Sequence, residues 1–72
     1  MDINKYELKV LTDCYVNDLV DSIDYNKSYL YKMVKKGLLL FRDITPNKIH
    51  IFWLSKEGLN ILKENNLTYG VD

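Results

Sequence analysis

The chain reads as one small α+β domain, in which helices supply the core and a two-stranded hairpin supplies the strands. Three observations predict this. Apolar residues recur at helical spacing, as at Leu8, Leu11 and Tyr15 and again at Leu30, Met33 and Val34. Two runs rich in β-branched and aromatic residues, Leu38–Asp43 and Ile49–Leu54, flank the turn pair Pro46-Asn47. Residues that cap or stop helices stand where they are needed, with Asn26 and Ser55 at starts and Gly37 at an end. Seventy-two residues leave room for one domain. Folding at this size buries about 60% of the unfolded chain's surface, so the core is small.

The first helix runs from Asn4 to about Tyr15, with Asp2 or Asn4 as its cap and Tyr6, Val10 and Cys14 beside its apolar stripe. An extended link at Tyr15-Val16 leads to a second, very short helix capped by Asn17. Asp18 in its first turn suits the helix dipole, and Leu19, Val20 and Ile23 face inward. Asp24-Tyr25-Asn26 is a turn. The third helix spans Lys27–Lys36, buries Tyr29, Leu30, Met33 and Val34, and stops at Gly37. The hairpin follows, with its turn in the stretch ITPNK. Ser55 then caps a last helix from Lys56 to about Glu64, with Leu59 and Leu62 inward and Ile61 beside them. The domain covers residues 1–66, and residues 67–72 form a tail expected to fray, in which Leu67 and Tyr69 are able to fold back.

Two compact helices joined by a tight turn, the second of them basic, form a helix-turn-helix pattern. A hairpin directly after the second one is a wing. The expectation is therefore a small winged helix-turn-helix: three helices, a two-stranded wing and a C-terminal helix.

The net charge of zero hides a segregation. Residues 1–24 carry −4, residues 25–56 carry +6 and residues 57–72 carry −2. A partner responds to the field of one face and not to the total, so the basic middle of the chain points to nucleic acid.

Local motifs strengthen that reading. LVDSIDYNKSYLYKMVKKGLL, WLSKEGLNIL and the spacing of Leu30, Met33 and Gly37 resemble the winged helix-turn-helix domains of the broad MarR/PadR type over about Tyr6 to Leu62. In the second motif Ser55 stands where the family usually has threonine, followed by Gly58 and Leu62. The resemblance implies a duplex-DNA-binding regulator whose helix Asn26–Lys36 enters the major groove while the hairpin around Thr45–Lys48 touches the backbone or minor groove. Three departures mark a minimal version. The family's alanine in the second helix is replaced by Val20 or a neighbour, the wing lacks an arginine-rich run, and the long dimerisation helices are missing.

The candidate contacts follow from this placement. Lys27, Lys32, Lys35 and Lys36 are phosphate contacts, and Lys27 and Lys32 also reach into the groove. Asn26, Ser28 and Tyr31 sit at the start of the recognition helix, where base edges are reached. For Asn26 capping competes with base contact, and for Tyr31 surface filling does. Arg42, Asn47, Lys48 and His50 are the wing contacts. Both hairpin faces are apolar, yet such a ribbon buries only one, so Phe41, Phe52 and Trp53 are candidates for a partner surface on a second copy or a host protein. That surface carries the alternative reading: a protein-interaction module, such as a phage-encoded inhibitor or adaptor.

Other classes find less support. His50 has no second ligand at metal spacing, so neither a metal nor a cofactor is expected. Cys14 reads as a core-edge residue and has no disulfide partner. No nucleophile–base pair or glycine-rich phosphate loop points to an enzyme. No apolar run approaches the roughly 18 residues of a membrane span, and the start MDINKYELK lacks a signal pattern, so the protein reads as cytoplasmic with no membrane partner. Asn, Lys, Ile and Tyr make up 28 residues while alanine and glutamine are absent. That AT-rich codon usage fits a low-GC bacterium, its phage or a plasmid.

Overall fold

A computed structural model describes residues 3–65. Helix α1 spans Lys5–Asn17, strand β1 Val20–Asp21, helix α2 Lys27–Lys35, strand β2 Leu39–Ile44, strand β3 His50–Leu54 and helix α3 Lys56–Glu64. The strands form one antiparallel sheet in the order β1-β3-β2. The described residues thus form a small α+β fold with three helices and a three-stranded sheet. Asp2 as a cap and the tail at 67–72, with Leu67 and Tyr69, lie outside the described residues.

Helix α1 begins at a reciprocal capping box. Asn4 Oδ1 accepts from the Glu7 amide at 2.8 Å, and Glu7 Oε1 accepts from the Asn4 amide at 3.1 Å. The helix continues through Asn17 and stops at Asp18, whose φ of +72° is left-handed. The short second helix expected after Asn17 is therefore corrected to a strand. Val20 pairs with Phe52 and Asp21 with Ile51, across about thirty residues of chain. Two further bonds join the next residue to β3: Ser22 N donates to His50 O at 3.0 Å, and His50 N donates to Ser22 Oγ at 2.9 Å. Val20 is buried by this pairing, whereas Ile23 is 69% exposed and not inward-facing. Only a tight turn separates β1 from α2, held by Asp21 Oδ1 accepting from the Ile23 and Asp24 amides at 2.9 and 3.2 Å.

Helix α2 starts where Asn26 Oδ1 accepts from the Tyr29 amide at 3.2 Å. It buries Leu30 and Met33 and ends at Gly37, whose φ is +82°. Gly37 N donates to Val34 O at 2.9 Å and Leu38 N to Met33 O at 3.0 Å, closing the last turn. The hairpin registers Leu40 against Trp53 and Phe41 against Phe52, with a bulge at Arg42. Its turn is tied by Lys48 N to Thr45 O at 2.8 Å and by Ile49 N to Thr45 Oγ1 at 3.1 Å.

Ser55 caps α3 by accepting from the Gly58 amide at 2.9 Å, and its hydroxyl donates to Gly37 O at 2.6 Å. One serine thus ties the start of α3 to the stop of α2. Helix α3 presents Ile61 and Leu62 to a core that also holds Val10 and Leu11 of α1, Leu30 and Met33 of α2, Leu38, Leu39 of β2 and Phe52 of β3. Gly58 packs against Leu38, Leu54 and Leu11 so closely that a Cβ there would overlap the Leu38 carbonyl oxygen. The glycine of the WLSKEGLNIL motif is therefore a packing requirement.

Candidate nucleic-acid interface

Burying Leu30 and Met33 turns the opposite side of α2 outward. Lys27, Ser28, Lys32 and Lys35 are exposed on that side, with Tyr31 and Val34 half-buried between them. These six residues line an open groove of about 420 Å³. Its floor is apolar, its rim holds three ammonium groups, and among the described residues no carboxylate lines it. Three of the four expected helix lysines thus converge on one surface.

The fourth does not. Lys36 Nζ donates to Glu7 Oε2 at 2.5 Å and pairs α2 with the start of α1. Glu7 is buried while Lys36 keeps 44% of its side chain exposed. Burial pushes the Glu7 carboxyl up, but the bonds from Lys36 and from the Asn4 amide outweigh it and hold the group below its ordinary value. Glu7 was not among the candidate residues, although Asn4-x-x-Glu7 has the capping-box spacing that places it.

Two candidate base readers are engaged within the fold. The Asn26 carbonyl oxygen serves the α2 cap. The Tyr31 hydroxyl lies 2.7 Å from His50 Nδ1, so a bond joins α2 to β3 near the hairpin turn. Around it the Tyr31 ring meets Phe52 edge-on at 5.0 Å between centroids, His50 edge-on at 5.6 Å and Phe41 at 5.9 Å. This aromatic cluster fixes the helix against the hairpin.

The hairpin residues divide by face. Phe41 and Phe52 are cross-strand partners on the side of Tyr31, while Leu40 and Trp53 are partners on the opposite side. Phe52 is fully buried, which corrects its place on a partner surface: it fills the space under β1, β2 and α2. Phe41 and Trp53 remain 44% and 45% exposed, and Leu40 51%. The Arg42 guanidinium lies over the Trp53 ring at 4.8 Å from its centroid, and so on the sheet face turned away from α2. Asn47 and Lys48 are exposed in the hairpin turn, where Lys48 has a φ of +63°.

Cys14 and Tyr25 are two further titratable groups that the fold buries. Burial pushes the Cys14 thiol up to about 11, and its sulfur lies 3.9 Å from Phe52 O, so thiolate chemistry is suppressed. Tyr25 is buried and donates to the Asp13 carboxylate, and burial together with that neighbour raises its pKa. Among the described residues no group of three His, Cys, Asp or Glu could hold a metal ion. None of the described helices is long and apolar enough to cross a membrane. Comparison with protein-family models, with curated proteins and with solved structures finds no match for this chain.

Proposed function

We propose that this chain is a minimal winged helix that binds duplex DNA through the outer face of α2, in the manner of a small transcriptional regulator. The observation that carries the reading is the convergence of Lys27, Lys32 and Lys35 around one groove, on the helix that leads into the hairpin. The element order supports the winged-helix assignment. Helix α2 is followed directly by the β2–β3 hairpin, and β1 joins that hairpin at β3. A tight turn would stand in place of the usual helix before the recognition helix. The hairpin turn, with Lys48 exposed, would be the second point of backbone contact.

The double variant Lys27→Ala/Lys32→Ala tests this by fluorescence anisotropy on mixed duplex DNA. Each phosphate contact removed should flatten the salt slope by about 1, so the pair flattens it by about 2 and weakens binding to every duplex. Lys56→Ala/Lys63→Ala, on exposed positions of α3, is the charge-matched control. Equal losses in both variants would refute the assignment to α2.

A second reading rests on a different observation. Leu40 and Trp53 are cross-strand neighbours, both about half exposed on the sheet face away from α2. Such a patch suits a protein partner. It predicts one stoichiometric partner whose binding is lost on Trp53→Ala and is insensitive to Lys27→Ala/Lys32→Ala.

A further inference from the structure

We propose that the α2 face contacts the phosphate backbone and does not read base sequence, so that its ligand is duplex DNA of any sequence. The inference rests on the duplex-DNA reading and concerns which chemistry that face has left to offer.

Sequence is read through paired hydrogen bonds to base edges, above all an asparagine or glutamine amide on adenine and an arginine fork on guanine. The chain contains no glutamine and one arginine. That arginine, Arg42, stacks on Trp53 on the sheet face opposite α2, so its fork is not presented beside the helix. Asn26 stands at the start of α2, but its carbonyl oxygen accepts from the Tyr29 amide at 3.2 Å. The two-point contact to adenine would use that same oxygen, so reading a base would compete with holding the start of the helix. The Tyr31 hydroxyl and His50 Nδ1 satisfy each other at 2.7 Å.

What remains free on the groove is three ammonium groups and the Ser28 hydroxyl. An ammonium on a flexible stem is a mobile point charge suited to phosphate. A hydroxyl both donates and accepts, so it bonds to any base. The apolar floor of Tyr31 and Val34 adds contact without hydrogen-bond pattern. The face keeps its charge while its base-reading groups are spent on holding the fold.

The test uses the full chain in two measurements at about 50 mM salt, where phosphate contacts are strong. Anisotropy is read on a panel of duplexes of equal length that vary in AT content and sequence, and binders are selected in parallel from a randomised duplex pool. Without a two-point base contact, affinities across the panel should differ by less than about tenfold, because one well-read base pair alone is worth roughly 1–3 kcal/mol. Selection should enrich no motif. A motif bound more than about tenfold tighter than its scrambled version overturns the inference and leaves the DNA reading intact. Failure to bind any duplex overturns both.

Discussion

Replacing Gly58 with alanine should harm the fold more than replacing Gly37, even though only Gly37 has a backbone conformation that side chains avoid. At Gly37, φ is +82° and an added Cβ would meet nothing within 4 Å. The cost there is conformational strain alone, about 1–2 kcal/mol. At Gly58 the backbone is helical, so alanine gains about 1 kcal/mol of helix propensity. Against that gain, its Cβ would overlap the Leu38 carbonyl oxygen and come within 3.0 Å of Leu54 Cδ1 and 3.2 Å of Leu11 Cδ2. The leucine methyls can yield. The carbonyl belongs to the backbone and accepts the Ser55 amide at 3.3 Å, so relief requires moving α3 away from the start of β2. Overpacking of an ordinary kind costs about 1–3 kcal/mol, occasionally more, and a blocked backbone oxygen puts this site at or above 3. The net loss is then about 2–3 kcal/mol. At about 6 °C per kcal/mol for a domain of this size, that is a fall in Tm of about 12–18 °C, against about 6–12 °C for Gly37→Ala. Thermal unfolding followed by circular dichroism, with urea titration as a second probe, reads both. A Gly58→Ala protein as stable as the wild type, or more stable than Gly37→Ala, would refute the packing described for α3.

Three further variants test the Glu7–Lys36 pair and the two faces of the hairpin. Glu7→Gln keeps the capping oxygen but removes the charge that meets Lys36. Because Lys36 is nearly half exposed, solvent screening limits the loss at pH 7 to about 1 kcal/mol. The folded carboxyl sits below its unfolded value, so this contribution is complete above the unfolded pKa of about 4.3 and disappears as pH falls through the lower folded value. The wild-type and Glu7→Gln curves of stability against pH should therefore converge on acidification, and a constant gap from pH 7 to 3 would contradict the pairing. Phe52→Ala empties a fully buried site and should cost about 3–5 kcal/mol, enough to unfold much of so small a domain. Trp53→Ala, at a residue 45% exposed, should cost about half of that or less while leaving the fold cooperative, and the reverse order in urea would place the hairpin faces wrongly.

The elements that were legible are those with local signals. Asn26 and Gly37 delimit α2, Pro46-Asn47 marks the hairpin turn and Ser55 starts α3, each acting within four residues of itself. Strand bounds were off by one residue because pairing partners, and not composition, set where a ladder begins. Strand β1 was not legible. Two residues carry no periodicity, and Leu19, Val20 and Ile23 have a spacing that fits a helix, so only Phe52 and Ile51 decide the matter. The left-handed Asp18 that turns the chain into β1 is a conformation aspartate tolerates but does not announce. At the candidate site, charge and helix face could be read from spacing, which is why Lys27, Lys32 and Lys35 come together. The engagement of Lys36 by Glu7 and of Tyr31 by His50 could not, since the partners lie 29 and 19 residues away.

Salt dependence decides whether α2 presents a lysine surface to phosphate. Lys27, Lys32, Lys35 and Lys48 give three to four contacts, so the slope of log affinity against log salt should be about −2.7 to −3.6, and binding to mixed duplex DNA should weaken about 40- to 150-fold from about 50 to 200 mM. That result would establish the electrostatic interface. Absence of binding at about 50 mM, or a loss of less than about threefold over the same range, would contradict it.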